Sequence, residues 1–145
     1  MAEIGARVRL TYIVHSLNFR HAPDFVDFVH RELPCVEWIQ FSYVKGMGRA
    51  KGNRDIIAPF AEAAPPLNEA MSRCRRHGLR FDIDHIPVCF VMEYKEHHVD
   101  YRKMLERKPG IYVSEKQKVA ECDGCGIRAL CPGPRKDYVE VYGGI

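Results

Sequence analysis

Cys122, Cys125 and Cys131 lie in the stretch "ECDGCGIRALCPG", residues 121 to 133, with the spacing C-x2-C-x5-C. Thiolate is the metal-binding form of cysteine, and several on one short loop can chelate a single object. Gly126 follows Cys125, and Pro132 and Gly133 follow Cys131. Those residues let the backbone wrap tightly and turn N–H groups toward sulfur. A fourth ligand must come from Cys35, Cys74, Cys89 or a histidine. Cys74 sits on a predicted helix stripe, and Cys35 ends a helical region beside Pro34, so both read as structural. Cys89, in the proline-containing turn "IPVCF", is the chosen fourth ligand.

The object held is zinc or an iron–sulfur cluster. Structural zinc sites usually show two short Cys/His pairs. Here there is one C-x2-C pair, a third cysteine five residues on and a remote fourth, a pattern that favours a [4Fe-4S] cluster, with zinc as the alternative. The bland reading is three unligated thiols in a surface loop. Four thiolates around a [4Fe-4S]2+ core would leave a charge of about −2. Lys116, Lys118, Arg128, Arg135 and Lys136 flank the run, and most are expected on a solvated surface.

Composition sets the frame. The chain has 145 residues, enough for one ordinary core, with 46% hydrophobic and 28% charged residues, as in a folded globular domain. The formal charge of +3 is weak and the basic residues alternate with acids, so nucleic-acid binding is not expected. No apolar run approaches a membrane span, and "MAEIGARVRL" lacks the apolar core of a signal peptide. A cytoplasmic protein with reduced cysteines is expected.

The elements that would position the cysteines can be read in order. "RVRLTYIVHS" (7 to 16), "VEWIQFSYV" (36 to 44) and "LRFDID" (79 to 84) are predicted strands. "APDFVDFVHREL" (22 to 33) is a predicted helix with Phe25, Phe28, Val29 and Leu33 as its stripe. "PPLNEAMSRCRRHG" (65 to 78) is a second helix, opened by prolines and stopped by Gly78. Strand, helix, strand, helix, strand implies an α/β fold with a parallel sheet. After residue 86 the character changes. "HHVDYRKMLER" reads as a short helix, "GIYVS" as a short strand and "PRKDYVEVYGG" as a terminal helix. Residues 1–86 thus form an α/β domain, and 87–145 a small loop-rich module that a metal would stabilise.

Other polar residues carry two readings each. "KGMGRA" lies at a strand's C-terminal end, where open α/β folds bind ligands. Gly46 and Gly48 would let backbone approach a ligand and Arg49 could pair with a carboxylate; a plain turn is the alternative. Asn18 and Ser16 either touch a ligand on the same rim or cap the next helix. His85, His97 and His98 surround the Cys89 turn and are expected at the surface. Asp82 and Asp84 share one strand face, where pairing with Arg80 or Arg76 is the ordinary expectation. No nucleophile–base pattern or phosphate loop stands out, and no catalytic residue is assigned.

Several of these segments, in order, resemble the C-terminal half of radical SAM enzymes that carry an auxiliary cluster domain of the SPASM or twitch type. "VRLTYIVHSLN" looks like the fifth barrel strand with Asn18 after it, and "VEWIQFSYVKGMGRA" like the sixth with its Gly-Arg-Ala ending. "GLRFDIDHIPVCF" resembles the extra strand leading to a Pro-x-Cys turn, and "CDGCGIRALCPGPRKDYVEVYG" the cluster-binding tail. The tail is the most specific part, and the likeness spans nearly the whole chain. It implies a partial, half TIM-like barrel followed by the cluster module, with Asn18, Gly46, Gly48 and Arg49 near the adenosine or substrate. It implies a [4Fe-4S] cluster on Cys89, Cys122, Cys125 and Cys131 for electron transfer or structural support. The family's catalytic C-x3-C-x2-C motif and its Gly-Gly-Glu segment do not occur in these residues. S-adenosylmethionine would therefore bind only where a complementary N-terminal half is present. Such a half, or a second copy, would meet the exposed edge of the first strand. A peptide or small molecule is the substrate class implied, and no membrane contact is expected.

Overall fold

In the computed structural model, residues 7–108 and 110–145 are described; the expectation about "MAEIGARVRL" falls mostly on residues 1–6, outside them. Three strands, β1 (Val8–Val14), β2 (Val36–Tyr43) and β3 (Arg80–Asp84), form a parallel sheet in the order β1-β2-β3. They alternate with α1 (Ala22–Glu32) and α2 (Phe60–His77), the arrangement expected from the order of elements.

Period-two alternation decides which sheet face is covered. Ile39, Phe41 and Tyr43 of β2, with Phe81 and Ile83 of β3 and Val14 of β1, are buried in one core with α1 and α2. The opposite face carries three rows fixed by register: Arg9–Trp38–Arg80, Thr11–Gln40–Asp82 and Ile13–Ser42–Asp84. Arg9, Thr11 and Ile13 are exposed there, so among the described residues no helical layer closes that face as one closes the other. The two sheet edges also differ. Among the described residues β1 has no strand on its outer side, whereas the outer side of β3 is met by a parallel bridge from Ile83 to His98.

Two helical expectations shift. The buried residues of α1 are Ala22, Pro23, Val26 and Val29, while Phe28 is 46% exposed, so the inward stripe is rotated from the predicted one. α2 begins five residues before the predicted start, at Phe60, and holds Pro65 and Pro66 in its interior. Each interior proline removes one helix hydrogen bond and costs about 3 kcal/mol. Burial of Phe60, Ala63, Ala64 and Leu67 offsets that, and the helix start is closed from outside: the Phe60 N–H donates to the Tyr138 hydroxyl at 3.0 Å.

After β3 the chain runs through a kinked 3-10 segment (Val88–His97) into α3 (Val99–Leu105). "GIYVS" is not a strand; Ile111–Glu115 forms a 3-10 turn, and the segment joins sheet-like pairing only at Lys116, which bridges antiparallel to Arg135. α4 (Lys136–Tyr142) then packs back on the core, with the Tyr138 ring stacked on Phe60 at 3.6 Å. Among the described residues no helix is long and apolar enough to cross a membrane.

Candidate metal centre

Cys89 lies in the first turn of the kinked segment. Val88, Val91 and Tyr94 are its buried anchors, and Cys89 falls on the outer side, exposed. The turn is held to α2 by Asn68, whose Nδ2 donates to the Phe90 carbonyl at 2.9 Å and to the Ala64 carbonyl at 2.8 Å.

Cys122, Cys125 and Cys131 sit on a loop built of successive turns. The Cys125 amide donates to the Cys122 carbonyl at 3.2 Å, the Arg128 amide to Cys125 at 3.0 Å and the Cys131 amide to Ile127 at 3.0 Å. Gly124, between the first two cysteines, has φ +75, a conformation that side chains disfavour. Lys118 ties the loop's far end, its Nζ donating to the Arg128 carbonyl at 2.6 Å and to the Cys131 carbonyl. Gly133 has φ +91 and touches the incoming segment so closely that a Cβ there would lie 2.0 Å from the Gln117 carbonyl oxygen.

The fold brings the four predicted ligands together. Cys89, Cys122, Cys125 and Cys131 line one pocket of about 70 Å³, with Pro87, Ile127 and Lys118 among its other walls. A single water needs roughly 10–15 Å³ on the same measure, so the space suits a group of several atoms. Cys89 is exposed as a residue but lines the pocket, where partial desolvation raises its thiol to about 11, with the neighbouring sulfurs of Cys131, Cys125 and Cys122 adding to the rise. A bound cation or cluster would reverse that by stabilising thiolate. Among the described residues, no three His, Cys, Asp or Glu side chains are arranged to hold a single metal ion. Cys35 and Cys74 lie elsewhere; Cys74 is fully buried on α2, its thiol pushed up to about 12 by that burial.

Lys118, Arg128 and Lys136 are exposed as expected, and two of the five basic residues near the loop differ. Lys116 and Arg135 are buried, not solvated. Lys116 Nζ pairs with Asp100. Arg135 pairs with Glu115 and, at 2.8 Å, with Asp137, whose Oδ2 also accepts from the Gly46 amide at 2.6 Å. Burial alone would raise the Asp100 carboxyl, but Lys116 outweighs it and holds the group below its ordinary value. Hydrogen bonding from Arg135 likewise holds Glu115 low. These charges join the tail to the sheet's rim, and nothing in the local sequence pattern marked them.

The rim residues are used locally. Asn18 Oδ1 accepts from the His15 amide at 2.9 Å and its Nδ2 donates to the Ile13 carbonyl at 2.8 Å, folding the turn after β1 without capping the next helix. Gly46 admits Ile57 and Asp137, with Ile57 Cδ1 3.0 Å from where a Cβ would stand. Gly48 takes φ +58 and Arg49 is exposed. Asp82 pairs with Arg102 at 2.6 Å and Asp84 accepts from Gln40 at 2.8 Å, so neither uses Arg80 or Arg76. His98 and His85 are both buried, against the surface expectation. His98 caps α3: its Nε2–H donates to the Ile86 carbonyl at 2.7 Å, leaving Nδ1 to accept from the Asp100 and Tyr101 amides. No protein-family model, curated protein or solved structure matches the chain.

Proposed function

We propose that this chain is the cluster-bearing part of a radical SAM-type enzyme, a partial barrel whose tail holds an auxiliary [4Fe-4S] cluster on Cys89, Cys122, Cys125 and Cys131. The observation that carries the reading is the shared pocket: a cysteine from the turn after β3 meets three from the tail loop. A single zinc would need its sulfurs converging at about 2.3 Å from one point, whereas a cubane holds its thiolates on four separate irons and spaces them apart. The pocket's room for several atoms supports the cubane. Bound there, the cluster would pass single electrons or brace the fold; four cysteine ligands leave it no open iron for substrate.

The catalytic function belongs to strands outside these residues. The free edge of β1 and the uncovered polar sheet face support docking of such strands, from a complementary half or from a second copy. S-adenosylmethionine and a peptide or small-molecule substrate belong to that completed barrel.

Anaerobic purification followed by metal and sulfide analysis tests the reading. About four irons and four acid-labile sulfides per chain, with brown colour, are expected. One zinc in colourless protein would replace the reading with a zinc-stabilised interaction module. Cys89→Ala should lower cluster content sharply, while Cys74→Ala should leave it unchanged.

A further inference from the structure

The row Arg9–Trp38–Arg80 crosses the uncovered sheet face at the N-terminal end of the strands. Arg9 and Arg80 each reach over the Trp38 ring, with guanidinium carbons 4.9 and 4.8 Å from its centroid. The two cations therefore lie within about 10 Å of each other, close enough to repel. Both residues are exposed. Among the described residues neither is in ion-pair range of a carboxylate, and Arg9 donates to the neutral Gln40 Oε1.

The carboxylates that share the patch are already engaged. Glu37 accepts from Arg7 at 2.8 Å and Asp82 from Arg102 at 2.6 Å. Asp84, further along β3, accepts from Gln40. Arg7, Arg9, Arg80 and Arg102 thus face Glu37 and Asp82, which leaves positive charge in excess. The remaining titratable neighbour, His97, turns Nδ1 to the Phe81 carbonyl. Two open pockets, of about 340 and 260 Å³, lie beside the row and share Trp38 and Arg80 as walls. An aromatic ring steadies a guanidinium plane and leaves its N–H edge free for a carboxylate.

We propose that this row binds a small diacid across Trp38, one carboxylate to Arg9 and the other to Arg80. A five-carbon diacid, with carboxylates roughly 5 Å apart, fits between guanidiniums at that spacing. A strand joining the edge of β1 leaves the row in place, because edge hydrogen bonds run in the sheet plane and these side chains stand out of it. None of these residues lines the cysteine pocket, so the site stands whether or not the tail holds a cluster.

Trp38 is the chain's single tryptophan, so its fluorescence reports on this row directly. Titration of the whole chain with glutarate at fixed ionic strength should shift that emission saturably. Butyrate, with one carboxylate, should bind about tenfold more weakly or worse. Arg9→Gln and Arg80→Gln should each bring glutarate down to the level of butyrate. Arg31→Gln, an exposed arginine at the end of α1, should leave glutarate affinity unchanged. Absence of saturable binding into the tens-of-millimolar range, equal affinity for the two acids, or affinity indifferent to Arg80→Gln would overturn the proposal.

Discussion

Lys116 Nζ and the Asp100 carboxylate form an ion pair with side chains only 2% and 6% exposed, joining the strand-like segment before the cysteine loop to the first turn of α3. Breaking one partner of such a pair leaves a buried charge uncompensated. Lys116→Met should therefore cost about 3–5 kcal/mol, and Lys116→Met with Asp100→Leu considerably less. Urea denaturation followed by far-UV circular dichroism compares the two. Equal losses would show that the charge on Asp100 is not what Lys116 serves.

Gly133→Ala should be among the most damaging small substitutions in the chain. The added Cβ would meet the Gln117 carbonyl, a backbone atom that cannot rotate away, at a positive φ that alanine disfavours. A loss of about 2 kcal/mol or more is expected, together with reduced cluster content. Gly124→Ala, where nothing lies within reach of the new Cβ, should cost about 1 kcal/mol through conformation alone.

Tyr138→Phe isolates one hydroxyl. It keeps the ring stacked on Phe60 and removes the acceptor for the Phe60 amide, leaving a buried N–H at the start of α2. The expected cost is about 1–3 kcal/mol, visible as a lower thermal midpoint with unchanged helix content. Tyr138→Leu should cost more, since it also loses the stack.

Stability should fall with acid in two stages. Burial lowers His85 to about 4 and also lowers His98, so the unfolded chain binds protons from about pH 6.5 downward before the folded chain does. Folding stability is therefore complete above about pH 6.5 and declines toward pH 4, by about 2 kcal/mol between pH 7 and pH 5 for His85 alone. Asn tolerates the left-handed backbone and does not titrate, so His85→Asn should flatten that slope. Below it, Asp100 adds a second loss: its lowered carboxyl contributes stability above about pH 3.9 that disappears as pH falls through its folded value. Denaturation midpoints from pH 7 down to about pH 2 measure both.

The three strands, both large helices and α4 were legible because each is marked locally: β-branched, aliphatic and aromatic density in β1 and β2, an amphipathic stripe in α2, glycine at the helix ends; the alternation of β1, with Arg9, Thr11 and Ile13 exposed, came only with the fold. The exceptions are cases where a distant partner overrode local preference. α2 runs through two prolines because Tyr138 closes its first turn. Ile111–Glu115 reads as β-prone, yet it turns so that Glu115 can meet Arg135 and Lys45.

The cysteine spacing by itself places Cys122, Cys125 and Cys131 on one short glycine-containing loop, because residues a few positions apart need no tertiary contact to lie near one another. Choosing Cys89 from the sequence was a selection among several thiols; only the tertiary structure brings it to the pocket that the loop lines, because a residue so far along the chain reaches the loop only after β3, the Val88–Val91–Tyr94 anchor and Asn68 have fixed its turn. The same holds for the buried charges. Lys116, Arg135 and Asp100 look like ordinary surface residues in sequence, and only packing, which removes them from water, turns them into the joint between the sheet and the tail.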